Sequence, residues 1–441
     1  MLAAMISPWL GVYRLATGVL APFAARRLAR AAGDEPEMLA RQPERLGHVP
    51  DAGGELWIHA ASVGEINAAG PLVRALLARQ RRIVLSTLTH TAAEHARRRF
   101  EDRDALRHLF APLDTVASVS RWLDHTRPSA LVLVETEIWP VMLDQCRRRS
   151  IPVAMVNARI SSRAMRRYKR FAGLFRDALA EVDPVVCQDE ASRRRFETLG
   201  VGGDRTRVAG NLKFDVDSLA APGDETLAWQ RSWSGRRAWV AGSTHEGEER
   251  IVAGAHRRLL QTHPDALLLI VPRHPERGPD ALDACRRAGL VACMAEDWPA
   301  LAAHDGGDNA RVQAVVVARM GVLSDLYQLV DACMVCGSLV EGIGGHNLIE
   351  PALAGKPILT GAYTVDQQAA ADGLEAANGL LRVSAESDLA EWLAKIFGEP
   401  AFVRTLAGNA TNFVESQRGA LDRTLEALKP WLDEHANAPK D

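Results

Sequence analysis

Two kinds of position in this sequence combine residue type and spacing in a way that could do chemistry. The first are carboxylates that follow short apolar runs. Glu65 comes after Leu56–Ala60, in a turn Ser62–Glu65 that leads into a helical pattern. A carboxylate there is stabilised by the helix N-terminus, which lowers its pKa, whereas burial raises it, so it can serve as a base. The plainer reading, which position alone favours, is a first-turn Glu in an S-x-x-E capping box with Ser62. Glu135 and Glu137 end another apolar run beside Trp139 and Pro140. Charges at such strand ends need partners, and pairing with arginine is the structural alternative to a chemical role. Arg159 and Arg163, after the run Pro152–Ala158, suit bidentate binding of carboxylate or phosphate. Arg166, Arg167, Lys169 and Arg170 read as a solvated helix face.

The second kind are glycine-rich turns. In Gly337–Pro357 (GSLVEGIGGHNLIEPALAGKP), the apolar run Ala332–Val335 feeds a turn with Gly342, Gly344 and Gly345, and a helix is expected from near Asn347. Glycines admit positive φ and close backbone approach, and the free N–H groups of a helix start face an anion. Asn347 can cap that helix, with Glu350 at capping-box spacing. Ser243 and Glu246 in GSTHEGEE form a similar strand-to-helix pattern and a second potential anion site. Arg273, His274 and Arg277 directly follow the strand-like ALLLIVPRH. There is no H-E-x-x-H, D-x-D or Cys/His ligand cluster, so neither a catalytic metal nor a cofactor is expected.

Placing these residues requires an α/β scaffold. Leu56–Ala60, Arg82–Leu88, Ala130–Glu137 and Pro152–Arg159 alternate with helical patterns, and after a Pro/Gly/Asp-rich break near 215–225 the alternation resumes with Arg237–Thr244, Ala266–His274, Ala314–Ala318, Asp331–Leu339 and Lys356–Gly361. Such alternation predicts doubly wound parallel sheets, with ligand residues at the carboxyl ends of strands. At 441 residues, two domains are expected. Hydrophobic residues at 47% and charged ones at 24% are ordinary globular values. Residues 1–215 carry 33 Lys and Arg against 24 Asp and Glu, whereas 216–441 carry 20 against 31, so an anionic surface or ligand is expected for the first half. Few aromatics speak against nucleic acid as a partner. The six cysteines have no secreted-scaffold spacing and read as reduced thiols, with Cys333 and Cys336 as buried strand residues. Met1–Ala25 is apolar, interrupted by Arg14, and followed rather than preceded by its arginines, which suggests a retained anchor that spans or lies on a membrane. A polar linker is expected over 33–54.

The segments WIHAASVGEINAA, PLDTVASVSRWL, VETEIWP, NARISSRAMRRYKR, CQDEASRRRFETLGV, GNLKFD, AGSTHEGEE, VPRHPER and GGHNLIEPALAGKP run in order from Trp57 to Pro357. Together they resemble the 3-deoxy-D-manno-octulosonic acid (Kdo) transferases of lipopolysaccharide synthesis, glycosyltransferases of GT-B architecture. The resemblance implies two Rossmann-like domains facing a cleft, with an N-terminal membrane-anchor helix. The expected division is 1–25 anchor, 26–215 acceptor domain, 216–425 donor domain and 426–441 polar tail, with a helix near 401–435 packing back as in that architecture. It implies inverting transfer of Kdo from CMP-Kdo to a lipid A precursor at the cytoplasmic face of the inner membrane, with Glu65 as general base.

On that reading Ser243, Thr244, Arg273, His274, Gly344, Gly345, His346, Asn347 and Glu350 are donor-binding candidates. Ser62, Gly64, Glu135, Glu137, Arg159, Arg163 and Lys213 are candidates for the acceptor or the donor carboxylate. The sequence departs from the family at Gly321–Val322–Leu323, where Gly-Glu-Leu is usual, at Thr89–Ala92, in a donor loop one residue longer at Gly342–Gly345, and in AYTVDQ after Gly361. Two other readings stay open: another GT-B nucleotide-sugar enzyme, of different donor or 2-epimerase type, and a non-catalytic paralogue that binds lipid A precursor. The apolar N-terminus opposes the epimerase and the retained Glu65 opposes the paralogue.

Overall fold

The nearly unbroken apolar runs of this chain form strands buried on both faces, as parallel sheets require. A computed structural model describes residues 8–31, 36–51, 53–100, 105–216, 219–233, 235–298 and 311–434. The chain forms two units, residues 1–216 with 417–441, and residues 217–416. In the first unit β1 (Leu56–His59), β2 (Ile83–Thr87), β3 (Leu106–Phe110), β4 (Ala130–Val134), β5 (Val153–Ala158), β6 (Val182–Cys187) and β7 (Thr206–Val208) make one sheet in the order β3-β2-β1-β4-β5-β6-β7. All of its pairings are parallel. The second unit repeats the plan with β8 (Ala238–Thr244), β9 (Leu267–Pro272), β10 (Ala292–Met294), β11 (Ala314–Val316), β12 (Ala332–Val335), β13 (Ile358–Thr360) and β14 (Leu380–Arg382), ordered β10-β11-β9-β8-β12-β13-β14 and again parallel.

In each sheet the strand order reverses once, between β1 and β4 and between β8 and β12. Connections leave those two neighbouring strands in opposite directions, which opens a crevice at their carboxyl ends. The helix Val63–Ala78 starts at the first crevice and buries Ile66, Ala69, Leu72, Val73 and Leu76 in the core of the first unit. The expected break near 215 coincides with the unit boundary. The last segment differs from its expected assignment, because Gln417–Asp441 groups with the first unit rather than forming the end of a donor domain and a polar tail. Asp215 accepts the backbone N–H groups of Gly419 (2.6 Å) and Leu421 (2.7 Å), and Leu425, Leu428 and Leu432 of the helix Ala420–Glu434 join the first core. Residues 435–441 of that tail lie outside the described residues. Cys333 and Cys336 are buried free thiols, as expected of strand residues.

The expected linker is partly folded. Pro36–Ala40 and Gln42–Leu46 are short helical turns, with Met38, Arg45 and Val49 buried and the Arg45 guanidinium 4.1 Å from the Phe110 ring centre. The N-terminal helix is Pro8–Ala31, and residues 1–7 of the expected anchor lie outside the described residues. No helix of the described residues is long and apolar enough to cross a membrane. Arg14, which looked like an interruption, pairs with Asp144 on the helix Pro140–Arg148, while the Tyr13 hydroxyl donates to Asp114 and Leu10 is buried. Burial works against the Asp144 anion, yet hydrogen bonds from Arg147 and Arg148 and the Arg14 charge hold its carboxyl below the usual range. The opposite face exposes Trp9, Val12, Leu15, Val19, Leu20 and Phe23.

Candidate active site

At the β1–β4 crevice the chain turns from β1 into its helix through Ser62. Ser62 has extended backbone geometry, and its Oγ accepts the Glu65 N–H at 3.3 Å, so the helix starts at Val63 and Glu65 lies in its first turn rather than in a preceding loop. The capping reading of Glu65 therefore holds locally. The Glu65 carboxylate accepts the Ala61 N–H at 2.6 Å and the Ser62 hydroxyl at 3.1 Å. Capping does not exhaust it. Burial, then the Glu137 charge, and more weakly that of Glu135, push the Glu65 carboxyl up to about 8, against the pull of the Ala61 N–H and Ser62 hydroxyl. A carboxyl tuned to that range can take a proton at near-neutral pH.

Glu135 and Glu137 follow β4 directly. Glu135 has a φ of +63° and pairs with Lys213 at 3.2 Å, so its partner is a lysine rather than the expected arginine. Lys213 is held there by the turn Leu212–Phe214, which Asn211 caps and whose Leu212 N–H reaches the buried Asn157 side chain. Glu137 accepts the Trp139 indole N–H at 2.7 Å and lies 3.4 Å from His59 Nε2. The structure thus brings Ser62, Glu65, Glu135, Glu137 and Lys213 to one crevice. Gly64 is exposed in the same turn, and Arg159 and Arg163 are exposed after β5.

The β8–β12 crevice of the second unit holds most of the other candidates. Ser243, with φ +59°, and Thr244 end β8, but the expected Ser243/Glu246 box does not form. Gly247 caps the helix Glu248–Leu259, and Glu246 is 92% exposed. Glu248 takes over instead, because the left-handed Gly247 turns the chain so that the next carboxylate, not Glu246, faces inward. Fully buried, Glu248 accepts the N–H groups of His245 (2.9 Å), Gly337 (2.8 Å), Ser338 (3.0 Å) and Leu339 (2.9 Å). The first N–H groups of the glycine-rich turn are therefore filled by the protein's own carboxylate. Thr244 is buried and donates to Glu249 at 3.2 Å.

Farther along that turn, Gly344 and Gly345 have φ of +100° and +83°. A Cβ at Gly344 would meet Asp366 Oδ2 at 2.7 Å. The helix beyond begins at Ile349, two residues later than expected, and is five residues long. Asn347 Oδ1 accepts the Ile349 N–H (3.0 Å) and its amide donates to Glu350 (2.8 Å), in place of a reciprocal box. His346 is the residue this turn presents. Its ring stacks on His245 at 5.1 Å, with the two Nε2 atoms 2.9 Å apart, and His245 meets His274 edge-on at 6.0 Å. Burial, then His245 and Arg273, push the His346 imidazole down to about 4, and burial likewise lowers His245. Both rings are neutral at physiological pH, next to the permanent charges of Arg273 and Arg277. That set offers hydrogen bonds and positive potential to an anionic, planar group.

Sequence reasoning overlooked His59, Ser86, His245 and Glu248. His59 and Ser86 are fully buried polar residues inside apolar strands, and a polar residue within a strand pattern is the signal that could have drawn attention to them. Among the described residues no group of three His, Cys, Asp or Glu is arranged to hold a metal ion.

The family model described as 3-deoxy-D-manno-octulosonic-acid transferase (kdotransferase) matches residues 40–216. The 3-deoxy-D-manno-octulosonic acid transferase of Haemophilus influenzae is 33% identical over 411 residues, covering 90% of this chain and 93% of its own length. The enzyme of the same name from Bordetella pertussis is 32% identical over 437 residues, 96% of this chain and 99% of its own. Among solved structures, the UDP-GlcNAc 2-epimerase from Neisseria meningitidis bound to UDP-GlcNAc has a TM-score of 0.56 at 12% identity, over 85% of this chain and 100% of that one, a likeness of fold alone.

Proposed function

Because the chain belongs to the family of 3-deoxy-D-manno-octulosonic acid (Kdo) transferases, we propose that it moves Kdo from CMP-Kdo to a lipid A precursor in lipopolysaccharide synthesis, with Glu65 as general base. The observation that carries the assignment of Glu65 is its place at the β1–β4 crevice with a carboxyl poised near neutrality. In the reaction, Glu65 takes the proton of an acceptor sugar hydroxyl while that oxygen attacks the anomeric carbon and the bond to the CMP phosphate breaks. The departing negative charge needs cationic and N–H partners, for which Arg273, His346 and the Gly344–Asn347 turn are the candidates. Lys213, Arg159 and Arg163 are the cationic groups available to carboxylate or phosphate in the first unit.

The reading places the protein at the cytoplasmic face of the inner membrane, lying on the surface. Support for this comes from the N-terminal helix, with one face packed through Leu10, Tyr13 and Arg14 and the other exposing apolar side chains. Trp9 meets Phe171 edge-on at 6.1 Å, and Phe171 follows the segment that carries the exposed Arg163, Arg166, Arg167, Lys169 and Arg170. Apolar residues flanked by cations suit an anionic lipid interface. The test is incubation of the purified protein with CMP-Kdo and a tetra-acylated lipid A precursor, with products resolved by mass. Addition of one or more Kdo units is expected. Saturable binding of CMP without any transferred sugar would overturn the reading in favour of a non-catalytic role.

A further inference from the structure

Glu65 is one of three carboxylates at the β1–β4 crevice, and the other two have fixed partners. Glu135 has Lys213 at 3.2 Å. Glu137 has the Trp139 N–H at 2.7 Å and His59 Nε2 at 3.4 Å, the latter an electrostatic contact rather than a short hydrogen bond. Behind His59 runs a row of fully buried groups. Trp57 Nε1–H donates to Ser86 Oγ at 2.7 Å, and Ser86 Oγ lies 2.8 Å from His59 Nδ1.

The direction of this row follows from the chemistry of its members. An indole nitrogen only donates, so Ser86 Oγ accepts from Trp57 and its own proton needs another acceptor. His59 Nδ1 is the acceptor in reach. A neutral imidazole that accepts at Nδ1 carries its proton on Nε2, and Nε2 faces Glu137. We propose that Trp57, Ser86 and His59 form a positioning chain for the reaction: they fix His59 as the Nε2–H tautomer, which turns its N–H toward Glu137, and Glu137 in turn sets the proton affinity of Glu65.

The inference rests on the general-base reading of Glu65 and adds to it a cause for the base's strength. Neighbouring carboxylates do not ionise independently, and the proton goes to the one with the weakest support. Glu65 is held by one backbone N–H and one hydroxyl and pairs with no cation among the described residues. Three ionisable groups near its helix have partners or positions of their own. From the helix His90–Phe100, His95 bonds to Asn67 at 2.7 Å and Arg99 lies over Gly70, and Arg423 of the last helix donates to the Ala209 carbonyl.

The experiment compares full-length wild type with Glu137→Gln, Ser86→Ala and His59→Asn, following kcat/KM over about pH 5.5 to 9. Glu137→Gln is expected to move the midpoint of the acid limb down by on the order of one pH unit. Ser86→Ala touches neither carboxylate. It frees His59 to adopt the Nδ1–H tautomer, which turns a lone pair toward Glu137, so the midpoint moves the same way by less, with His59→Asn alongside it. In 15N spectra, His59 carries its proton on Nε2 in wild type and redistributes it in Ser86→Ala. Unmoved midpoints with merely lower turnover, or an Nδ1–H tautomer in wild type, would overturn the proposal. If Glu65→Gln keeps its turnover, the base reading fails by itself. A 13C carboxyl titration of Glu65 without substrate, in wild type and Glu137→Gln, then decides the inference: a lowered midpoint in the variant supports it and an unchanged one sinks it.

Discussion

Glu65 shows how one side chain can be both a cap and a reactive group. Its backbone N–H is taken by Ser62 and its carboxylate by the Ala61 N–H, yet the nearby carboxylates and burial keep its proton affinity high. Replacing it with Gln removes the base while keeping its size, so turnover falls by roughly 100-fold or more with CMP-Kdo binding retained, as isothermal titration beside a transfer assay would show. The same substitution has a signature in stability. The folded carboxyl titrates at about 8, above its ordinary value of 4.5, so the folded state holds an extra proton between those values. The stability due to this residue is therefore complete below about 4.5 and is lost as pH rises through about 8. Glu65→Gln should raise the Tm of the protein near pH 8.5 and do little near pH 5. A Tm difference that does not grow with pH would mean that the folded carboxyl is already ionised. The capping serine and the carboxylate were both legible in the motif S-x-x-E. The tuning was not, because it comes from burial in the folded crevice and from Glu137, which follows a strand distant in sequence.

Among the elements, the turn from Gly337 to His346 depends on Glu248 most directly. Glu248→Ala would leave four backbone N–H groups without their acceptor, with a loss of roughly 3 kcal/mol or more in thermal or denaturant unfolding and a KM for CMP-Kdo raised at least about tenfold. Glu248→Gln keeps one acceptor oxygen and should lie between the two. A wild-type KM in the Ala variant would show that the turn is held by its glycines alone. The N-terminal helix gives a second prediction. Leu15→Ser, Val19→Ser and Phe23→Ser alter only its exposed face, so each should weaken partition into phospholipid vesicles by about tenfold while leaving the fold intact. Equal vesicle binding in all three would rule that face out as the contact. The apolar run and its Arg14 were visible in sequence, but the pairing of Arg14 with Asp144 was not, since it joins elements far apart in the chain.

On the scale of the whole molecule, charge is divided between the two halves of the chain, with 33 basic against 24 acidic residues over 1–215. Association with anionic vesicles should therefore weaken steeply as salt is raised from about 0.05 to 0.5 M, while association with neutral vesicles stays nearly constant. Salt-independent binding to anionic vesicles would assign the contact to apolar burial alone.

The sequence by itself determined the parallel α/β class, since strands buried on both faces must be continuous apolar runs, and it determined where each strand ends and which polar residues stand there. Ordered motifs also identified the family. These are properties of neighbouring residues, governed by local sterics, capping and periodicity. Only the tertiary structure decided which strand ends meet. The reversal of strand order sets Glu137 and His59 beside Glu65, and Glu248 under the turn at Gly337. It also returns the last helix to the first unit, where Asp215 caps it. Those pairings join distant segments through burial and long-range hydrogen bonds. A carboxyl's proton affinity is fixed by the charges and solvent around it in space, which is why the tuned base emerges only in the folded protein.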